Sequence, residues 1–246
     1  MSHSANINGF AMHYDIRGTG TPLLLLHGFT GAGSDWQYLF PRPPSGFELI
    51  VPDLRGHGSS TNPPAVFTFR QAAQDILGLL DHLMIDRIRA IGLSAGAKVL
   101  LHMAVMRPGH IQAMVLVSAA PYFPEEARAI MRTMTPDNHS EEEWQMMRIK
   151  HKHGDEQIKM LWRQAHEFKD SLDDMNLTPH DLSLISARTL IVHGDRDPFY
   201  PPEIALRMHQ SIPCSSLWLI PNAGHAPVFG ARAVPFVEKA LVFLRH

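Results

Sequence analysis

Gly92-Leu93-Ser94-Ala95-Gly96 follows the apolar run Ile88-Arg89-Ala90-Ile91 and precedes Ala97-Lys98-Val99-Leu100-Leu101-His102-Met103-Ala104-Val105. The first run reads as a buried strand and the second as a helix, so the pentapeptide is a strand-turn-helix junction with a serine at its apex. Glycines on either side lack a Cβ, which lets strand and helix crowd around a sharp turn. The Ser94 hydroxyl is then pushed clear of the sheet, and the N–H of Ala95 falls at a helix N-terminus, where a developing anion is stabilised. Taken alone the pattern is weak: at average glycine usage, about one random chain of this length in twenty carries it.

A serine hydroxyl is a poor nucleophile without a base, and the base needs an orienting group. Two downstream strand ends offer both. Thr189-Leu190-Ile191-Val192-His193 runs into Gly194-Asp195-Arg196-Asp197-Pro198, a turn with two acids. Leu217-Trp218-Leu219-Ile220 runs into Pro221-Asn222-Ala223-Gly224-His225, a turn with a histidine. In an open α/β sheet the residues just past the strand ends line the active crevice. Three such ends supply Ser, Asp and His, in that order. Turn chemistry alone does not choose between Asp195 and Asp197, although Pro198 fixes the chain just after the latter.

Working outward, Ile7 to Arg17 reads as a hairpin turning at Asn8-Gly9. Leu23–His27, Leu49–Asp53 and Ala113–Val117 read as further strands, and Phe69–Leu83, Glu203–Ser211 and Val234–Arg245 as helices. Alternating strands and helices predict an α/β fold with a mostly parallel central sheet flanked by helices. Residues 121–186 break the alternation. They are helical in pattern, carry the acidic runs Glu125-Glu126 and Glu141-Glu142-Glu143, and hold six of the chain's 13 methionines.

These motifs together resemble the α/β-hydrolase superfamily. Leu23-Leu24-Leu25-Leu26-His27-Gly28-Phe29 is similar to the family's strand and oxyanion turn. Val51 to Ser60, with Asp53-Leu54-Arg55-Gly56-His57-Gly58, is similar to its next strand and loop. The resemblance covers nearly the whole chain and implies residues 1–120 and 187–246 as the hydrolase core, with 121–186 as a small helical cap. It also implies a triad of Ser94, Asp197 and His225, since the family's acid stands three residues after the glycine. The oxyanion donors it implies are the backbone N–H groups of Phe29 and Ala95. Ala97 departs from the family pattern, where a further glycine is common.

His27, Met146 and Met147 are expected at the substrate pocket, because methionine adapts to varied apolar shapes. His151 and His153 are too closely spaced to share a helix face, and no third ligand completes a metal set. No metal and no cofactor is expected.

The activity implied is hydrolysis of carboxylic esters of small to medium hydrophobic substrates through an acyl-enzyme. Relatives that open epoxides or remove halogens carry aspartate at the elbow, against which Ser94 stands. Lactonases and carbon–carbon bond hydrolases keep the serine and stay open, as does a non-catalytic ligand-binding homologue. Thr30 stands where perhydrolase-type relatives have proline.

Composition fits an ordinary globular protein: 246 residues, 45% hydrophobic, 19% charged and a formal charge of −2. No basic surplus points to nucleic acid. Apolar stretches are too short to span a bilayer, the first residues do not form a signal peptide, and the single Cys214 allows no internal disulfide. A small-molecule ester as partner and a cytoplasmic location are the expectations that follow.

Overall fold

A computed structural model describes residues 1–62 and 66–245. Eight strands form one sheet: β1 (Ser2–Ile7), β2 (Phe10–Gly18), β3 (Thr21–Leu26), β4 (Phe47–Pro52), β5 (Ile88–Leu93), β6 (Ile111–Val117), β7 (Arg188–Gly194) and β8 (Ser215–Ile220). Their order is β1-β2-β4-β3-β5-β6-β7-β8. The β1–β2 and β2–β4 pairs are antiparallel and the remaining pairs are parallel. Asn8 and Gly9 close the β1–β2 hairpin with φ of 47° and 83°, the left-handed pair that matches strand twist.

Alternation along the buried strands sends side chains into two cores. Leu24 and Leu26 join Met114 and Leu116 on the face covered by α1 (Phe69–His82), α2 (Ala95–Met106) and α7 (Pro202–Ser211). Leu23 and Leu25 join Val115 and Val117 on the other face, under Trp36, Phe40 and the apolar side of α8 (Ala233–Arg245). Both faces of the central strands are therefore buried, which explains their continuous Leu, Ile and Val runs.

Residues 121–186 carry four helices, α3 (Glu125–Met131), α4 (Glu141–Lys150), α5 (Asp155–Glu167) and α6 (Pro179–Ser183), and only an isolated bridge from Tyr122 to Asn176. Polar side chains tie this segment to the loops after β3 and β4 and to α1. The His151 Nδ1 accepts from the Gly58 N–H at 2.9 Å, and its Nε2 donates to the Thr30 carbonyl at 3.2 Å. Gln157 donates to the carbonyls of Gly56 and Gly58. Asp174 accepts from the Phe69 and Arg70 amides at 2.6 and 2.9 Å, capping α1 from the side. Among the described residues, no helix is long and apolar enough to cross a membrane.

Candidate active site

Ser94 links β5 to α2 with φ 49° and ψ −104°, a conformation rarely adopted by a residue with a Cβ. Two backbone bonds hold it there. The Ser94 N–H donates to the Val117 carbonyl at 2.8 Å, and the Gly96 N–H donates to the His27 carbonyl at 3.0 Å. The two glycines are sterically required. A Cβ on Gly96 would lie 2.2 Å from the Leu26 oxygen, and one on Gly92 would lie 2.6 Å from the Ala97 nitrogen. The junction is thus a tight turn that presents the Ser94 hydroxyl, as its spacing predicts.

His225, in the turn after β8, lies against that hydroxyl. Its Nε2 is 2.8 Å from Ser94 Oγ and its Nδ1 is 2.8 Å from Asp197 Oδ2. Ser118 donates to the His225 carbonyl at 2.5 Å, and the Phe199 ring packs on the imidazole with centroids 4.6 Å apart. The Asp197 side chain is fully buried. Its second oxygen accepts from the Phe199 and Tyr200 amides at 2.8 and 3.2 Å. Burial alone would raise the Asp197 carboxyl, but the hydrogen bond and charge of His225, with the Phe199 amide, hold it below the usual carboxylate range. Asp195 points elsewhere and accepts from the Ala223 N–H at 3.2 Å. Geometry therefore separates the two acids: only Asp197 meets the histidine.

Beside the hydroxyl, the backbone N–H groups of Ala95 and Phe29 have no acceptor among the described residues. Both residues line a cavity of about 290 Å³ that also includes Ser94 and His225. This volume is near the lower end of small-molecule sites, about 300–1,000 Å³. Phe168 closes one wall, with its ring centroid 4.8 Å from that of Phe29 and 5.1 Å from that of Phe69.

Three expected pocket residues fall elsewhere. His27 is buried behind the oxyanion turn. Its Nε2 accepts from the Leu54 N–H at 3.0 Å, and its Nδ1 donates to the Gly28 carbonyl at 2.8 Å. Burial lowers its pKa, consistent with a neutral ring that staples two loops together. Met146 and Met147 sit on α4, facing a side hollow with His139 and Trp162. The methionines that line the Ser94 cavity are Met131 and Met134, at the end of α3 and just beyond it. Helical phase explains the correction, since α4 packs on α5 around Trp162 rather than over the elbow. His151 spends both ring nitrogens on backbone groups, and His153 contacts the Ser59 carbonyl at 3.0 Å.

Residue patterns did not single out Lys98 or Tyr200, which also line the cavity. The usable signal was position: Lys98 is one turn after Ser94, and with His102 it is one of two polar side chains in the mostly apolar helix α2.

A family model described as alpha/beta hydrolase fold matches residues 21–157, and the chain belongs to that family. It is 35% identical to the soluble epoxide hydrolase of Corynebacterium sp. (strain C12), over 48% of this chain and 42% of that protein. The chain thus spans less than half the length of that curated relative. To 2-hydroxy-6-oxononadienedioate/2-hydroxy-6-oxononatrienedioate hydrolase 2 of Pseudomonas putida it is 29% identical, over 96% of this chain and 92% of the relative. The enol-lactonase of Burkholderia xenovorans LB400 superposes with a TM-score of 0.79 at 23% identity, over 99% of this chain and 100% of that one, a likeness of fold. Family membership thus fixes the α/β-hydrolase fold of the chain.

Proposed function

We propose that the chain is a serine hydrolase that cleaves carboxylic esters of small to medium hydrophobic acyl groups. The observation that carries this reading is the unbroken series Asp197–His225–Ser94, each link 2.8 Å, at the wall of an apolar cavity. His225 Nε2 takes the Ser94 proton as Oγ attacks the ester carbonyl. The tetrahedral oxyanion is met by the Ala95 and Phe29 N–H groups. His225 returns the proton to the leaving alcohol, leaving an acyl-serine. Water, deprotonated by the same nitrogen, attacks the acyl carbon, and the proton passes back to Ser94 as the acid leaves. Asp197 holds the proton of His225 on Nδ1 and stabilises the imidazolium. Residues 121–186 act as a cap, bringing Met131, Met134 and Phe168 over the elbow.

A second reading, cleavage of a carbon–carbon bond, is favoured by the nearly full-length similarity to the Pseudomonas putida hydrolase. Epoxide opening is disfavoured, because residue 94 is serine and the similarity to epoxide hydrolases covers under half of either chain. A panel of p-nitrophenyl esters, lactones and β-diketones tests the assignment. Short to medium esters are expected to be turned over fastest. Turnover of β-diketones without turnover of esters would overturn the ester reading.

A further inference from the structure

The Ser94 cavity contains a charge that the ester mechanism does not use. Lys98 is 1% exposed. Its N–H bonds back to the Ser94 carbonyl at 3.0 Å, so its side chain leaves α2 on the same face as the serine, one turn deeper. The ammonium lies 4.5 Å from the Tyr200 ring centroid, 5.6 Å from that of Phe123 and 5.8 Å from that of Phe69. Among the described residues it has no hydrogen bond and no ion pair; the one anion it senses is Asp197, at a distance. Asp197 cannot turn to it, because one oxygen serves His225 and the other serves two amides. Tyr200 lines the same cavity, and its hydroxyl likewise has no hydrogen-bond partner among the described residues.

Aromatic faces offset part of the cost of burying an ammonium, but they are weaker partners than a carboxylate. An apolar side chain of the same length would fill this wall at no such cost. Two donors without partners, one of them on a buried lysine, in a cavity lined mainly by apolar side chains define a receptor for an anion. A buried anion receptor suits the acyl half of an ester, because the leaving alcohol must depart before water enters.

We propose that Lys98, with the Tyr200 ring beside it, is an anion subsite for the acyl half of the substrate, and that the natural substrate is a monoester of a short dicarboxylic acid. The inference rests on the ester reading for which bond is cleaved; the subsite itself stands on the geometry of Lys98. Burial holds the ammonium down to about 7, and a carboxylate against it restores the charged form.

Calorimetric titration of the whole protein with glutarate tests the subsite. Saturable binding is expected, weakened about tenfold to a hundredfold in Lys98→Met, the worth of one buried charge-assisted contact. Absence of binding to the wild type, or equal binding to Lys98→Met, would overturn the proposal. Should that variant fail to fold, kcat/KM of the wild type for monomethyl glutarate against its neutral carboxamide counterpart decides. A preference of about tenfold or more for the charged ester supports the subsite, and no preference removes it. Covalent labelling of Ser94 by a fluorophosphonate reads the ester assignment separately. An adduct without glutarate binding refutes the subsite alone, and glutarate binding without an adduct supports the subsite while refuting the hydrolase mechanism.

Discussion

Replacing Asp197 by asparagine disables the base while leaving the fold in place. The Phe199 and Tyr200 amides point at one carboxylate oxygen, at 2.8 and 3.2 Å. In the asparagine variant these two donors require the amide oxygen; turning the side chain over would set an NH₂ against them and forfeit buried bonds worth about 1–3 kcal/mol each. The NH₂ therefore takes the place of Oδ2, 2.8 Å from His225 Nδ1. An amide NH₂ only donates, so Nδ1 must be bare and the imidazole proton moves to Nε2. That proton then faces Ser94 Oγ across 2.8 Å, and the ring can no longer accept one from it. The expected loss is about 10³–10⁴ in kcat, or about 4–5.5 kcal/mol of transition-state stabilisation. Asp195→Asn keeps an oxygen for the Ala223 amide on an exposed side chain and should stay within about 0.5 kcal/mol of wild type. Steady-state turnover of p-nitrophenyl butyrate measures both, with thermal unfolding as the control for folding. Loss of turnover in Asp195→Asn alone, or equal losses in the two variants, would refute the argument.

Gly96→Ala forces a Cβ to 2.2 Å from the Leu26 backbone oxygen, so both Tm and turnover should fall, whereas Gly224→Ala meets nothing within 4 Å and should be tolerated. Calorimetry of the two variants compares them. Acid should weaken the fold through the histidines beneath the oxyanion turn. Burial lowers His151 from 6.5 to about 4, and it lowers His27 and His57 as well. Between those values the unfolded chain binds more protons than the folded one, so stability falls as pH drops from 6.5 towards 4, by about 3 kcal/mol for His151 alone. Urea unfolding at pH 7 and pH 5 measures this, and equal stability at the two would contradict it. Met134→Ala enlarges the Ser94 cavity and should shift acyl-length preference towards longer chains, while Met146→Ala, outside that cavity, should not. A series of p-nitrophenyl esters of increasing length reads the difference.

Sheet and elbow were legible because their signals are local. A buried parallel strand must be continuously apolar, and a strand-turn-helix serine must have small neighbours, as Gly92 and Gly96 show. The central strands fall within two residues of their expected bounds. β1 begins at Ser2, before the expected hairpin, because Ser2-His3-Ser4 is an exposed edge with no apolar alternation to betray it. The choice of Asp197 over Asp195 rests on the family's spacing from Gly194, because turn chemistry alone does not separate the two acids; the hydrogen bond to His225 supports it. Pocket residues contributed by residues 121–186 are the least legible in the sequence. Which face of a short helix looks inward depends on how α4 and α5 pack on one another, so Met131 and Met134 reach the cavity and Met146 and Met147 do not. Lys98 was hidden by its type, since a lone lysine in a helix is ordinarily a solvated one.

The most direct test of the account is fluorophosphonate labelling of the folded protein, with the modified peptide located by mass spectrometry. A single adduct on Ser94 is expected, lost in His225→Ala. A folded protein that turns over esters with no adduct on Ser94, or that keeps its turnover in Ser94→Ala, would contradict it.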